Sequence, residues 1–210
     1  MVSISKSGYY LSNKVAYVVL TAFNEVIGKN GANAILNLAD QSNLIDNYPN
    51  TSTAREFEFA DFSAICNAIE EMYGQRGGRG LLQRIGRAAF DEALRTFGIQ
   101  SEVNEETFHS QPLGKRLYNG VRSVAEVFSK YTDQLVTISE REGAIVYTAQ
   151  RCACCWGRRS DTPDCSLVNG LLTASLNWAT LGNEFRVIED RCIAVGDPVC
   201  EFVINKEPIK

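Results

Sequence analysis

Residues 135–149 read LVTISEREGAIVYTA, and here the periodicity of the chain changes. β-Branched and aromatic residues gather on either side of Glu140-Arg-Glu-Gly143, the composition of a β-hairpin. Everything upstream carries a different signal. Leu11, Val15, Val18, Val19, Ala22 and Val26 recur at three- and four-residue spacing, which predicts an amphipathic helix over 11–26. A helical pattern resumes over 32–39, another begins near Asp61 or Ser63, and further helices are predicted over 81–97 and about 113–131. Gly98 is the expected stop of the helix over 81–97, and 100–107 reads as a polar, acidic loop.

Downstream, 166–180 returns to a helical pattern ending at Gly182. A second hairpin is then predicted from 185–194 and 199–204, turning through Gly196-Asp197-Pro198. The class is α+β, with helices packed on a small antiparallel sheet of two hairpins. No repeat or linker divides the chain. One domain over 1–210 is expected, helical over about 1–131 and hairpin–helix–hairpin over about 132–210.

A chain of 210 residues, 45% hydrophobic and 22% charged, can bury a substantial core. The formal charge of −4 excludes the basic excess that non-specific nucleic-acid binding requires. No apolar run reaches the roughly 20 residues of a membrane span. The opening MVSISKSGYYLSNK lacks the layout of a signal peptide, so a cytoplasmic, reducing location is expected. The helix over 11–26 is apolar on more than one face (Tyr17, Val18, Val19, Leu20, Phe23), which points to a homodimer.

In such a compartment the seven cysteines are not a disulfide framework. Cys66 stands alone, whereas Cys152, Cys154, Cys155, Cys165, Cys192 and Cys200 crowd the last third. Cys192 and Cys200 flank the last turn, with Glu189 three residues before Cys192. An odd separation on a regular strand puts two side chains on opposite faces, so a site using both needs a bulge near Asp190-Arg191. The residues alone leave three readings open: a metal site, buried free thiols, or a disulfide.

The pattern Cys165-x4-Gly170, then Glu189-x2-Cys192-x3-Gly196-Asp197-x2-Cys200-x-Phe202, resembles the vinyl-4-reductase domain family. The segments GYYLSNK, NLAD, LIDNYP, FADFSA and EEMYGQRGGRG extend the resemblance over nearly the whole chain. It implies a fold shared distantly with TRAPP subunits and haem–nitric-oxide-binding domains. It implies a structural zinc on Cys165, Glu189, Cys192 and Cys200, although the gap from Cys165 to Glu189 is one residue longer than the family's. Cys152, Cys154 and Cys155 are alternative ligands. A zinc closed by four side chains has no open position for substrate.

His109 is the only histidine, with no nucleophile spaced near it, and no GxGxxG or P-loop pattern offers a nucleotide or nicotinamide site. The segment GQRGGRG (74–80) reads as a backbone-exposing loop before a helix start near Leu81, with Arg76, Arg79, Arg84 and Arg87 adding positive charge. His109, Arg76, Arg79 and Arg87 are therefore the candidate ligand contacts. With the resemblance, these features lean away from an enzyme. They point to a binding protein for a tetrapyrrole or related hydrophobic, aromatic molecule. The alternatives are a role in reducing a vinyl group on a chlorophyll precursor, and an interaction subunit without exchangeable ligand.

Overall fold

Ser12 ends a short strand, β1 (Tyr10–Ser12), and its side chain accepts from the Val15 amide, capping the first helix, α1 (Asn13–Ile27). Gly28, at φ 82°, breaks the chain into α2 (Lys29–Leu38). The computed structural model describes residues 4–97 and 105–209. In it, β2 (Arg55–Glu58) pairs antiparallel with β1 and runs directly into α3 (Phe59–Phe97). The expected stop at Gly98 and most of the acidic loop, 100–104, lie outside the described residues.

Glu58 fixes this corner. Its buried carboxylate accepts from the amides of Ser7, Gly8 and Ala60 and from the Ser7 hydroxyl. Burial alone would raise its pKa, but these hydrogen bonds win and hold it below the ordinary 4.5. A depressed carboxyl contributes stability above the unfolded pKa and loses it as pH falls through the folded one. Glu58→Gln is therefore expected to cost about 1–2 kcal/mol at pH 7, and the cost should shrink as pH falls through the folded-state pKa. Urea melts at neutral pH and over a series of falling pH values check this.

The glycine-rich segment 74–80 is not a loop. Gly74 alone is non-helical (φ 72°, ψ 158°), and α3 kinks there and continues. The sharp turn brings Gly78 against the preceding arm, where a Cβ would lie 2.6 Å from Glu70 Cα. The expected helix start near Leu81, and the anion-attracting amides with it, are corrected accordingly. The segment before His109 is also helical, as α4 (Glu105–His109), and α5 (Leu113–Tyr131) follows.

The predicted strands form as β3 (Val136–Arg141) and β4 (Ala144–Ala149), with Glu142 and Gly143 (φ 72°) as a two-residue turn. After an irregular segment, α6 (Ser166–Ala179) leads to β5 (Phe185–Arg191) and β6 (Cys200–Pro208). The two hairpins are not separate units, because β4 pairs with β6 and gives one antiparallel sheet in the order β3-β4-β6-β5. The central strands carry Tyr147 and Phe202, register partners whose rings meet edge-on at 5.9 Å. The pairing of β5 shifts between Glu189 and Arg191, so a bulge stands where it lets Cys192 share the face of Glu189.

Helices α3 and α6 cross at glycine. A Cβ on Gly86 would lie 2.0 Å from the Leu167 carbonyl oxygen, and one on Gly170 would lie 2.0 Å from that of Gln83. Helix α1 is buried within the chain, with Val18, Val19, Leu20 and Phe23 all enclosed. Tyr17 is half-buried, and most of the apolar girth that pointed to a homodimer packs against the protein's own core. Among the described residues, no helix is long and apolar enough to cross a membrane.

Candidate functional site

Four segments bring sulfur to one point. Cys152 and Cys155 lie on the irregular chain after β4, Cys165 is the N-cap of α6, Cys192 follows β5, and Cys200 opens β6. All five are buried, at 2% exposure or less. The Cys165 thiol lies 3.3 Å from that of Cys152, 3.7 Å from Cys200 and 3.9 Å from Cys192, and Cys155 lies 3.5 Å from Cys200. A tetrahedral ion with metal–sulfur bonds of about 2.3 Å has sulfur–sulfur edges of about 3.8 Å. The observed separations bracket that length.

Glu189 completes the group. The Cys165 amide donates to its Oε2 at 2.8 Å, while Oε1 is buried with no hydrogen-bond partner. Burial, reinforced by the neighbouring Cys192 sulfur, pushes the carboxyl up to about 9. An orphaned carboxylate oxygen among thiols is what a cation would satisfy. The donor atoms of Cys165, Glu189, Cys192 and Cys200 all lie within 4.8 Å of one another, and so do those of Cys152, Cys155, Cys165 and Cys200. Cys66 and Cys154 belong to neither set.

The walls hold these donors in place. The Cys192 amide donates to Asp197 Oδ2 at 2.9 Å, and the Ile193 amide points at the Cys200 sulfur at 3.4 Å. Hydrogen bonding to neighbouring sulfurs, Cys152 first, together with burial raises the Cys165, Cys155 and Cys200 thiols, whereas hydrogen bonds from neighbouring thiols lower Cys152 and Cys192. Beside the cluster, Arg158 bridges Glu70 at 3.0 Å and Asp164 at 2.5 Å, tying the kinked helix to the cysteine segment. Burial lifts Asp164 to about 7.

The other candidate residues do not converge. Arg79 lies 3.4 Å from Asp164 and donates to Thr162 and Ser160, while Arg76 and Arg87 are exposed. His109 Nε2 donates to the Trp178 carbonyl at 3.1 Å, and its ring packs 5.0 Å from the Trp178 ring. A pocket opens elsewhere, between α1, α3, α5 and α6. It has a cavity of about 80 Å³ lined by Val15, Phe90, Phe97, Val124, Phe128 and Trp178 among others. Ser123 and Ser175 are the only hydroxyls in that lining, and Ser175 already donates to the Gly120 carbonyl at 2.9 Å. The sequence alone did not mark Trp178 as a pocket wall. Its place on the apolar side of α6 was the available signal.

No protein-family model matches the sequence, and no curated protein does. The fold is that of a known class of solved structures. An oxygen-binding H-NOX domain related to soluble guanylate cyclases has a TM-score of 0.60 at 13% identity, covering 95% of this chain and 97% of that one. An H-NOX protein from S. oneidensis in the Fe(II)NO state has a TM-score of 0.55 at 12% identity, covering 92% and 98%. These identities establish a common fold of mixed helices and antiparallel sheet. They correct the vinyl-4-reductase resemblance, since the likeness is to H-NOX domains, and neither that family nor TRAPP kinship draws support from it. The link to chlorophyll biosynthesis and the family's zinc lose that footing too. A metal here stands on the side chains alone.

Similar solved structures include ones described for haem redox potential and haem distortion. A haem iron takes an axial His, Cys, Met or Tyr, and among the described residues the lining contains none of them. The only histidine lies outside the lining with Nε2 already bonded. The cavity is also far below the roughly 300 Å³ at which drug-sized ligands begin to fit. The residues present do not fit an axially ligated haem.

Proposed function

We propose that the protein is a non-enzymatic binding protein for a small hydrophobic or aromatic molecule, with a structural metal ion in the thiol cluster. One observation carries the reading. Among the described residues, the pocket is walled by Phe90, Phe97, Phe128 and Trp178 with no titratable side chain in its lining, and it shares no residue with the cysteine cluster. Apolar burial therefore supplies affinity there, and nothing supplies chemistry. The metal ligands fit Cys165, Glu189, Cys192 and Cys200, a closed soft-donor set that selects zinc. Its role is to fasten the start of α6 to the ends of β5 and β6. The fold likeness keeps tetrapyrroles among the ligands to test. The lining favours one held without an axial bond, and the volume favours something smaller.

Titrating the protein with indole, anilinonaphthalene sulfonate, biliverdin and protoporphyrin tests this through tryptophan fluorescence. A saturable change is expected for at least one of them. Ala93→Phe, which places a ring in the pocket, should weaken that binding about tenfold or more while leaving the fold intact. Binding unaffected by the substitution, or no binding of any probe, would reject the assignment.

A further inference from the structure

The cluster has more donors than one ion can use. A closed tetrahedral ion takes four ligands, and here five thiols and one carboxylate converge as two complete quartets. The quartets are not independent, because both contain Cys165 and Cys200. We propose that the cluster holds two divalent metal ions bridged by the thiolates of Cys165 and Cys200, one completed by Glu189 and Cys192 and the other by Cys152 and Cys155. This rests on the reading that the cluster binds metal, and extends it.

The topology explains why these two cysteines are shared. Strand β6 lies between β4 and β5 in the sheet, so Cys200 at its first residue sits between donors that follow its two neighbours. Cys152 and Cys155 arrive from the β4 side, and Glu189 and Cys192 from the β5 side. Cys165 reaches the same line from the start of α6 and is within 3.3–3.9 Å of a donor from each side, Cys152 and Cys192. The Cys165–Cys200 separation of 3.7 Å is the common edge.

Charge permits the same count. With all six donors ionised the cluster carries six negative charges from the five thiolates and Glu189. Two divalent ions leave two of them uncompensated, the same remainder that one ion on a single four-donor set leaves with the other thiols protonated. The remainder faces the positive end of α6 and the amides of Cys165 and Ile193. A single ion on the Glu189 quartet would instead leave Cys152 and Cys155 buried beside it without a ligand role. On binding, each S–H bond is replaced by a metal–sulfur bond and the proton passes to solvent; no electrons move.

Titration of the chelator-stripped, reduced protein with Cd2+, read by thiolate-to-metal absorption and native mass spectrometry, decides the number. The proposal expects a break at two equivalents and a mass increment of two ions. The Cys152→Ser/Cys155→Ser double variant should break at one. A break at one equivalent in both proteins would remove the second ion and leave the Glu189 quartet standing. One equivalent in the unmodified chain, lost in the double variant, would overturn the pair and move the single ion to the four cysteines. No binding would sink both readings, as would a Cys152–Cys165 disulfide that persists after reduction. If the double variant does not fold, the break point of the unmodified chain decides alone.

Discussion

Replacing Cys200 with serine is expected to lower the unfolding free energy by about 3–5 kcal/mol and the melting temperature by on the order of 10 °C. Cys200 is fully enclosed, belongs to both donor quartets and receives the Ile193 amide. The change is nearly isosteric, so packing contributes little, and the loss comes from weakened metal binding. Because metal-binding energy is folding energy where the site exists only in the folded chain, a chelator should reproduce most of the drop in the unmodified protein. The same chelator should do little more to the variant. A variant that melts normally and keeps its response to chelator would remove Cys200 from the site.

The second large effect concerns the helix crossing. Gly86→Ala and Gly170→Ala each place a methyl group 2.0 Å from a backbone carbonyl oxygen, of Leu167 and Gln83 respectively. Backbone cannot step aside as a flexible side chain does, so α3 and α6 must separate along their whole contact. Each substitution is expected to cost about 3 kcal/mol or more, and the pair less than their sum because one separation relieves both clashes. Gly80→Ala is the control. It lies in the same helix with nothing within 4 Å of the added atom, and should be neutral or stabilise by up to about 1 kcal/mol. Denaturant melts of the three variants separate crowding from helix propensity.

How far the sequence could be read follows from which signals are local. The amphipathic stripes of α5 and α6 and the β-branched and aromatic runs of β3 and β4 are written in neighbouring residues, and those elements stand where these local signals put them. The β4–β6 pairing that fuses the hairpins joins residues over fifty positions apart, and no local pattern announces it. Strands β1 and β2 are only 3 and 4 residues long, too short for a period to show. The glycines of 74–80 read as a loop because their helix-breaking tendency is real. Only Gly74 uses it, and Gly78 is instead the small residue that a close contact with Glu70 requires.

At the candidate site, spacing alone left a metal site, free thiols and a disulfide open, and the set Cys165, Glu189, Cys192 and Cys200 came from the family resemblance; the β5 bulge shows how Cys192 comes to share the face of Glu189. That Cys152 and Cys155 share two of those donors depends on strand order, which spacing does not encode. Of the aromatic residues on α3 and α5, Phe90, Phe97 and Phe128 line the pocket, whereas Tyr118 and Tyr131 do not.

X-ray absorption at the edge of whatever metal the purified protein carries tests the central claim most directly. The proposed site predicts a first shell dominated by sulfur at about 2.3 Å, with a lighter oxygen contribution near 2.0 Å from Glu189 that disappears in Glu189→Gln. A shell of oxygen and nitrogen alone, or the absence of stoichiometric metal, would contradict it.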